Sequence, residues 1–212
     1  MPKIVHAGAR RREVVEAVWR IIAVDGLERA SLREVADEAG LAVGSVRHYF
    51  SGSDELLAFS FATVIDSIVA RLDRALPGLQ GHLPGSQEGR NAVLTLLGEL
   101  LPLDEQRAVE ACVWMGFRNA ARIRPFLVAE ADRSHREVAA VIGQVITSLV
   151  PGDVSEEALV VEAERLLATL DGLCMHALLQ PGWMTARMCT DVLERHLDGL
   201  AVNFVNVGNA GE

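Results

Sequence analysis

Apolar residues recur every three to four positions along almost the whole chain, which is the period of amphipathic α-helices. No strand-like alternation and no internal repeat interrupts this pattern, so the predicted fold class is all-α. About nine helices are predicted: Arg10–Asp25, Ser31–Ala39, Val43–Tyr49, Asp54–Leu76, Arg90–Leu101, Asp104–Ala121, Pro125–Leu149, Ser155–Gln180 and Thr185–Asn206.

Capping residues and breakers fix the predicted boundaries of these helices. Ser31 is expected to cap the second helix, with Glu34 completing a capping box three residues later. Further N-caps are predicted at Ser53, Asp104 and Ser155, and Pro125 suits a first helical turn. Residues 77–89, PGLQGHLPGSQEG, are predicted to be a loop because of their glycines and prolines.

The second and third predicted helices are short, and a tight turn containing Gly40 joins them. Two such helices packed on a preceding helix form the helix-turn-helix arrangement. A helix that enters the major groove needs small and polar groups on its outer face, as in Val43, Gly44, Ser45, Arg47 and His48. In this reading Arg47 pairs with guanine, Ser45 bonds a phosphate or a base, and Val43 meets a thymine methyl. An ordinary helical hairpin with Arg47 and His48 solvated is the alternative.

The run SLREVADEAGLAVGSVRHYFSGSDELL, residues 31–57, resembles the DNA-binding region of TetR-type transcriptional regulators. That family typically has a small hydroxyl residue opening the second helix, an alanine within it, a glycine at the turn and an aromatic pair closing the third helix. The matching residues here are Ser31, Ala36, Gly40, Tyr49 and Phe50. The resemblance implies a helix-turn-helix DNA-binding domain over residues 1–52.

The resemblance also implies roles for single residues. Arg33 is similar to a residue that meets phosphate or a base, Tyr49 to an aromatic that anchors to backbone phosphate, and Phe50 to a buried aromatic. Ser53 stands where the family often has a phosphate-binding lysine. Its hydroxyl and the amides of the fourth helix are expected to hold a phosphate in the lysine's place, although Asp54 and Glu55 weaken that contact. An N-terminal arm with Lys3 and Arg10–Arg12 is expected to compensate by reaching phosphate or the minor groove.

Residues 53–212 are predicted to form a larger helical domain for ligand binding and dimerisation. Its last two helices resemble the family's four-helix dimer interface. One stripe of the eighth helix is apolar at Leu159, Ala163, Leu166, Leu170, Leu173 and Ala177. The other side is largely apolar too, at Val161, Ala168, Met175 and Leu179. The last helix adds Leu193, Leu197, Leu200 and Phe204. A helix that is apolar nearly all round must bury more than one face, which favours a homodimer through the last two helices over a purely intramolecular core.

A small-molecule pocket is predicted where bulky groups concentrate with a few polar ones. The candidate ligand-binding residues are Trp114, Met115, Phe117, Arg118, Met175 and His176. Arg118 would suit an anionic group on the ligand. The sequence is equally compatible with an ion pair between Arg118 and Glu110 or Glu130. Each of these side chains also suits a place in an ordinary hydrophobic core.

Charge is divided unevenly along the chain. The net charge of the whole chain is −9, but residues 1–50 carry eight basic and seven acidic side chains, a net charge of +1. An acidic bulk with one locally basic end suits a protein that touches phosphate with one surface only. No membrane span, signal peptide, metal cluster, catalytic motif or cofactor motif is apparent, so we expect a cytoplasmic non-enzyme without cofactor or metal.

The sequence therefore predicts a ligand-responsive transcriptional regulator, in the first instance a repressor. It would bind a palindromic DNA operator as a dimer and be released by a small-molecule inducer, with the ligand displacing the helix Asp54–Leu76. The alternative is a helical small-molecule-binding or interaction protein whose N-terminal domain does not bind DNA.

Overall fold

The computed structural model describes residues 7–83, 86–149 and 155–208, without the side chains of residues 7 and 200–208. These residues form nine α-helices and no strand, which confirms the predicted fold class. The helices are α1 Ala7–Asp25, α2 Leu32–Glu38, α3 Val43–Tyr49, α4 Ser53–Ala75, α5 Gln87–Gly98, α6 Glu105–Ala121, α7 Val128–Leu149, α8 Glu156–Leu179 and α9 Ala186–Gly208. None of the helices in these three stretches is long and apolar enough to cross a membrane.

The predicted caps of α6 and α8 are confirmed, because the Arg107 and Ala158 N–H groups donate to the side chains of Asp104 and Ser155 at 2.8 and 3.3 Å. Three predicted starts are wrong. The helix α1 was predicted from Arg10 but already contains Ala7. Ser86 Oγ accepts from the Gly89 N–H at 3.1 Å, so α5 begins at Gln87 inside the segment predicted as a loop. Residues Leu76–Leu79 of that segment form a 3₁₀ turn. Pro125 opens another 3₁₀ turn, and α7 begins only at Val128.

The described residues divide into two compact units. The first combines residues of Met1–Ser67 with Val109–Ser134, and the second combines Ile68–Ala108 with residues of His135–Glu212. The predicted functional boundary between residues 52 and 53 is a separate question and stays a prediction.

In the first unit, α1, α2 and α3 pack on one another, and α1 also contacts α4, where Trp19 Nε1 donates to the Ser60 carbonyl at 3.2 Å. The predicted inner face of α1 is confirmed, since Val14, Val18, Ile21 and Ile22 are buried. The second part of α6 belongs to this unit through a stacked pair of aromatic rings, Phe61 on α4 and Phe117 on α6, with centroids 4.9 Å apart. Both rings are completely buried. The first unit therefore combines the three N-terminal helices with parts of α4 and α6.

In the second unit, α8 packs with α9 around a core that also takes residues from α5 and α7. One face of α8 lies in this core: Leu166, Leu170 and Leu173 are buried, and Leu159, Ala163 and Ala177 pack against it. From α9, Leu193 and Leu197 are buried there. The predicted contributions of Leu200 and Phe204 lie outside the described side chains.

Candidate DNA-binding site

Ser31 lies at the start of α2, and Gly40 lies in the turn that joins α2 to α3. Ser31 Oγ accepts from the Glu34 N–H at 3.2 Å, so the predicted N-cap is confirmed. The capping box is wrong, because the Ser31 N–H donates to the Arg29 carbonyl at 2.8 Å and the Glu34 carboxylate lies 3.6 Å from the Arg29 guanidinium. Gly40 has a φ of +65°, in the left-handed region that glycine adopts without strain, and it ends α2.

The helix α3 divides into an inner and an outer face. Val46 and Phe50, the residue that follows α3, are buried and fix the helix to the core. The opposite face carries the residues predicted to read DNA. Among them Gly44, Ser45, Arg47 and His48 are exposed, and Val43 and Tyr49 are partly buried. The helix thus presents a continuous small and polar surface, as a groove-binding helix requires.

The arginines near α2 and α3 fall into those that form an ion pair and those that do not. Arg20 pairs with Glu38 at 2.6 Å, Arg29 pairs with Glu34, and Arg10 pairs with Glu13. Within the part of the chain that the structure describes, the exposed guanidinium groups of Arg33 and Arg47 have no ion-pair partner. These two cations on α2 and α3 are therefore available to an external anion.

The start of α4 differs from its predicted form. The helix begins at Ser53 itself, and the Leu56 N–H donates to the Gly52 carbonyl at 3.2 Å, so the prediction of Ser53 as N-cap is wrong. Within the first turn of α4, the Glu55 carboxylate accepts from the N–H and the hydroxyl of Ser51 at 2.7 and 2.6 Å. These bonds, with a smaller effect of Arg11, lower the pKa of Glu55. Whether Ser53 holds a phosphate stays a prediction.

The predicted N-terminal basic arm is only partly available. Lys3 lies outside the described residues, Arg10 is paired, and the Arg11 guanidinium lies over the rings of Phe50 and Phe59. Arg12 is exposed. Arg10 and Arg11 thus each have an intramolecular partner, and the expectation that the three arginines reach phosphate or the minor groove stays a prediction.

Comparison with known proteins shows which families and relatives this chain resembles. Residues 14–58 match the family described as bacterial regulatory proteins, tetR family, and residues 89–202 match the BetI-type transcriptional repressor C-terminal family. The chain is 36% identical to the HTH-type transcriptional regulator PksA of Bacillus subtilis (strain 168) over 205 residues, which cover 95% of each protein.

The chain belongs to the TetR family of transcriptional regulators. Its fold resembles the crystal structure of a transcriptional regulator from Rhodococcus sp. Rha1, with a TM-score of 0.79, 29% identity and coverage of 91% of this chain and 96% of that one. It also resembles the multidrug binding protein EbrR complexed with ethidium, with a TM-score of 0.61, 25% identity and coverage of 88% and 98%. The TetR family consists of DNA-binding regulators, so this TetR-family chain is not an enzyme.

The residues predicted to bind ligand in this TetR-family regulator occupy two helices. On α6, Phe117 is completely buried, while Trp114 and Met115 are partly buried. Trp114 Nε1 donates to Ser134 Oγ at 2.8 Å. On α8, Met175 and His176 are exposed. That the two groups line one pocket stays a prediction.

Arg118 has a partner that the sequence did not indicate. Its guanidinium carbon lies 4.9 Å from the centre of the Trp114 ring. Glu130, one of the two acids expected to bridge to it, instead pairs with Arg133 at 2.8 Å. Glu110, the other, is buried and accepts from Ser67 Oγ at 2.9 Å. The Trp114–Arg118 pair is a flat, cationic surface on α6.

Proposed function

We propose that this TetR-family chain is a ligand-responsive repressor that binds a palindromic operator as a homodimer. The observation that carries the proposal is the outer face of α3 with its neighbour Arg33, where exposed cations that have no acidic partner among the described residues lie beside small side chains. In this proposal Arg33, Tyr49 and Ser53 contact the phosphate backbone. Base edges are read from α3 by Val43, Gly44, Ser45, Arg47 and His48.

Gly44 supports the assignment of α3 as the reading helix. A Cβ atom built on Gly44 has no heavy atom within 4 Å, so packing within the protein does not require a glycine at this exposed position. Close approach of the α3 backbone to a DNA surface accounts for the missing side chain.

The outer face of α8 supports the homodimer. Val161, Met175 and Leu179 are 59, 41 and 70% exposed in the single chain, although they repeat at the spacing of a helix-packing stripe together with Ala168. A second copy related by a two-fold axis would bury this stripe, and it would set two α3 helices apart by a fixed distance on a palindromic site.

The inducer is proposed to act through contacts between α6 and the DNA-binding helices within the first unit. Phe117 stacks on Phe61 of α4, and Arg124, just after α6, pairs with Glu28 of the turn between α1 and α2 at 2.6 Å. A ligand that displaces α6 therefore displaces α4 and the α1–α2 turn as well. This shifts the dimer between a state that binds operator and one that does not.

The similarity to EbrR, whose structure is a complex with ethidium, supports a small-molecule inducer. Trp114, Met115, Phe117 and Arg118 are the proposed contacts from α6. The flat cationic Trp114–Arg118 surface favours a ligand with an anionic group beside an apolar body.

The proposal is tested by fluorescence anisotropy with duplexes that cover the DNA upstream of the protein's own gene, over a series of salt concentrations. We expect one fragment to bind, with an affinity that falls steeply with salt because phosphate contacts release counterions. Arg47→Ala is expected to weaken binding to that fragment by about tenfold or more, as for loss of a bidentate base contact. Arg122→Ala, a change at an exposed arginine that follows α6, is the matched control and should bind normally.

Absent or salt-independent binding to every fragment would contradict the DNA-binding role. It would favour the helical small-molecule-binding protein whose N-terminal domain does not bind DNA.

A further inference from the structure

Arg11 of α1 lies against the point at which the chain leaves α3 and enters α4. Its guanidinium carbon is 4.8 Å from the ring centre of Phe50 and 4.1 Å from that of Phe59. The two rings contact each other, with centroids 5.5 Å apart. Phe50 directly follows α3 and is buried, and Phe59 lies on α4. One planar cation thus spans the exit of α3 and the first turns of α4.

A polar contact extends this arrangement to the turn itself. Arg11 Nη2 lies 3.8 Å from Glu55 Oε1, and the other oxygen of Glu55 accepts both hydrogen bonds from Ser51. Ser51 is the first residue after Phe50. Arg11 therefore contacts the rings on both sides of the turn between α3 and α4. It also lies near the Glu55 carboxylate, which accepts from the backbone N–H of Ser51 in that turn.

The chemistry of Arg11 does not suit a direct phosphate contact. Its Nε is buried and has no hydrogen-bond partner in the described part of the chain, so this edge of the guanidinium faces the protein. Stacking over aromatic faces suits a guanidinium because the group is planar and weakly hydrated, whereas the compact ammonium of lysine cannot replace both ring contacts. Arg12, the next residue, is exposed and is the natural comparison.

We propose that Arg11 is a positioning residue, which fixes the angle of α3 against α4 by stacking on Phe50 and Phe59, and that it does not contact DNA. The inference rests on the proposed DNA-binding function and extends it. A phosphate contact contributes to binding of every sequence and to the salt dependence. A positioning residue instead affects the match between α3 and base edges, so its loss lowers the preference for operator over other DNA.

The experiment compares wild type with Arg11→Lys, Phe59→Leu and the control Arg12→Lys. Binding is measured to the upstream duplex that wild type selects and to a scrambled duplex of equal length, each over a series of salt concentrations. Arg11→Lys keeps the charge, and Phe59→Leu removes a ring while leaving every charge in place. Thermal unfolding confirms that each variant is folded at the temperature of the assay.

We expect Arg11→Lys and Phe59→Leu each to lower the ratio of operator to scrambled affinity by about fivefold, the effect of one cation–π contact of ordinary strength. The slope of log affinity against log salt should remain that of wild type for both variants. Arg12→Lys should leave the ratio unchanged. A wild-type ratio in both test variants, or a decrease in both affinities without a change in their ratio, would overturn the positioning role.

A measurement without DNA separates this inference from the proposed function. Amide hydrogen exchange of residues 46–57 should be faster in Arg11→Lys than in wild type and unchanged in Arg12→Lys, because Arg11 stacks on the rings that flank the α3–α4 turn whereas Arg12 is exposed. If wild type binds no duplex, the proposed function fails while faster exchange still supports the restraint by Arg11. Exchange equal to wild type overturns the inference even when operator binding is intact.

Discussion

Truncation of Leu179 on the outer face of α8 is expected to weaken the proposed dimer. The residue is 70% exposed in the single chain, so most of its side chain is available for burial against a second copy. Leu179→Ala removes three carbon atoms. At about 0.8 kcal/mol for each buried methylene, scaled by that exposed fraction, the loss is about 1.7 kcal/mol for each protomer. A two-fold interface contains the change twice, so the loss is about 3.4 kcal/mol for the dimer, which raises the dissociation constant about three-hundredfold.

Sedimentation equilibrium over a range of protein concentrations measures this constant. Leu83→Ala is the matched control, because Leu83 is 79% exposed but lies outside α8 and α9, and its truncation should leave the constant unchanged. A wild-type chain that remains monomeric, or equal constants for Leu179→Ala and Leu83→Ala, would refute the assignment of this face to a dimer.

Three further predictions concern the two units. Phe117→Ala should lower the free energy of unfolding by about 3–5 kcal/mol in urea titrations, because it empties a buried site against Phe61; a loss below about 1 kcal/mol would contradict the packing described. Ser31→Ala should cost about 1 kcal/mol of stability through loss of the α2 cap, and unchanged stability would contradict the cap. His196 lies 3.2 Å from Thr169 Oγ1, and burial, then the charge of Arg165, lowers its pKa. The folded state thus takes up a proton less readily than the unfolded state, so the free energy of unfolding should fall as the pH drops below about 6.5. In urea titrations repeated at each pH, His196→Asn should remove that part of the fall. An identical pH dependence in the variant would contradict this assignment.

The helical architecture was predictable because burial of an apolar stripe dictates a local, periodic pattern. All nine helices follow from that pattern, and Ser31, Asp104 and Ser155 cap as predicted because an N-cap involves residues only three positions apart. The start of α5 was missed, since the glycines and prolines before it indicate a loop and outweigh the single capping serine, Ser86.

The candidate site was predictable to a smaller extent. The faces of α3 follow from its period, with Val46 buried and Arg47 exposed. The partners of individual charged side chains cannot be predicted from the helical period, because they depend on residues that are distant along the chain. Nothing near Arg11 in the sequence indicates that Phe50 and Phe59 will stack against it, and so the residue was expected to reach DNA. Likewise, Glu55 turns back to Ser51, whereas the sequence indicated Ser53 as the helix cap.

Footprinting of the upstream duplex tests whether a dimer reads a palindromic operator through α3. We expect two protected half-sites of inverted sequence, with centres about 10 base pairs (one DNA turn) or a multiple of that apart. Both should disappear together in Arg47→Ala. A single protected segment without two-fold symmetry, or a footprint that Arg47→Ala leaves intact, would contradict this expectation.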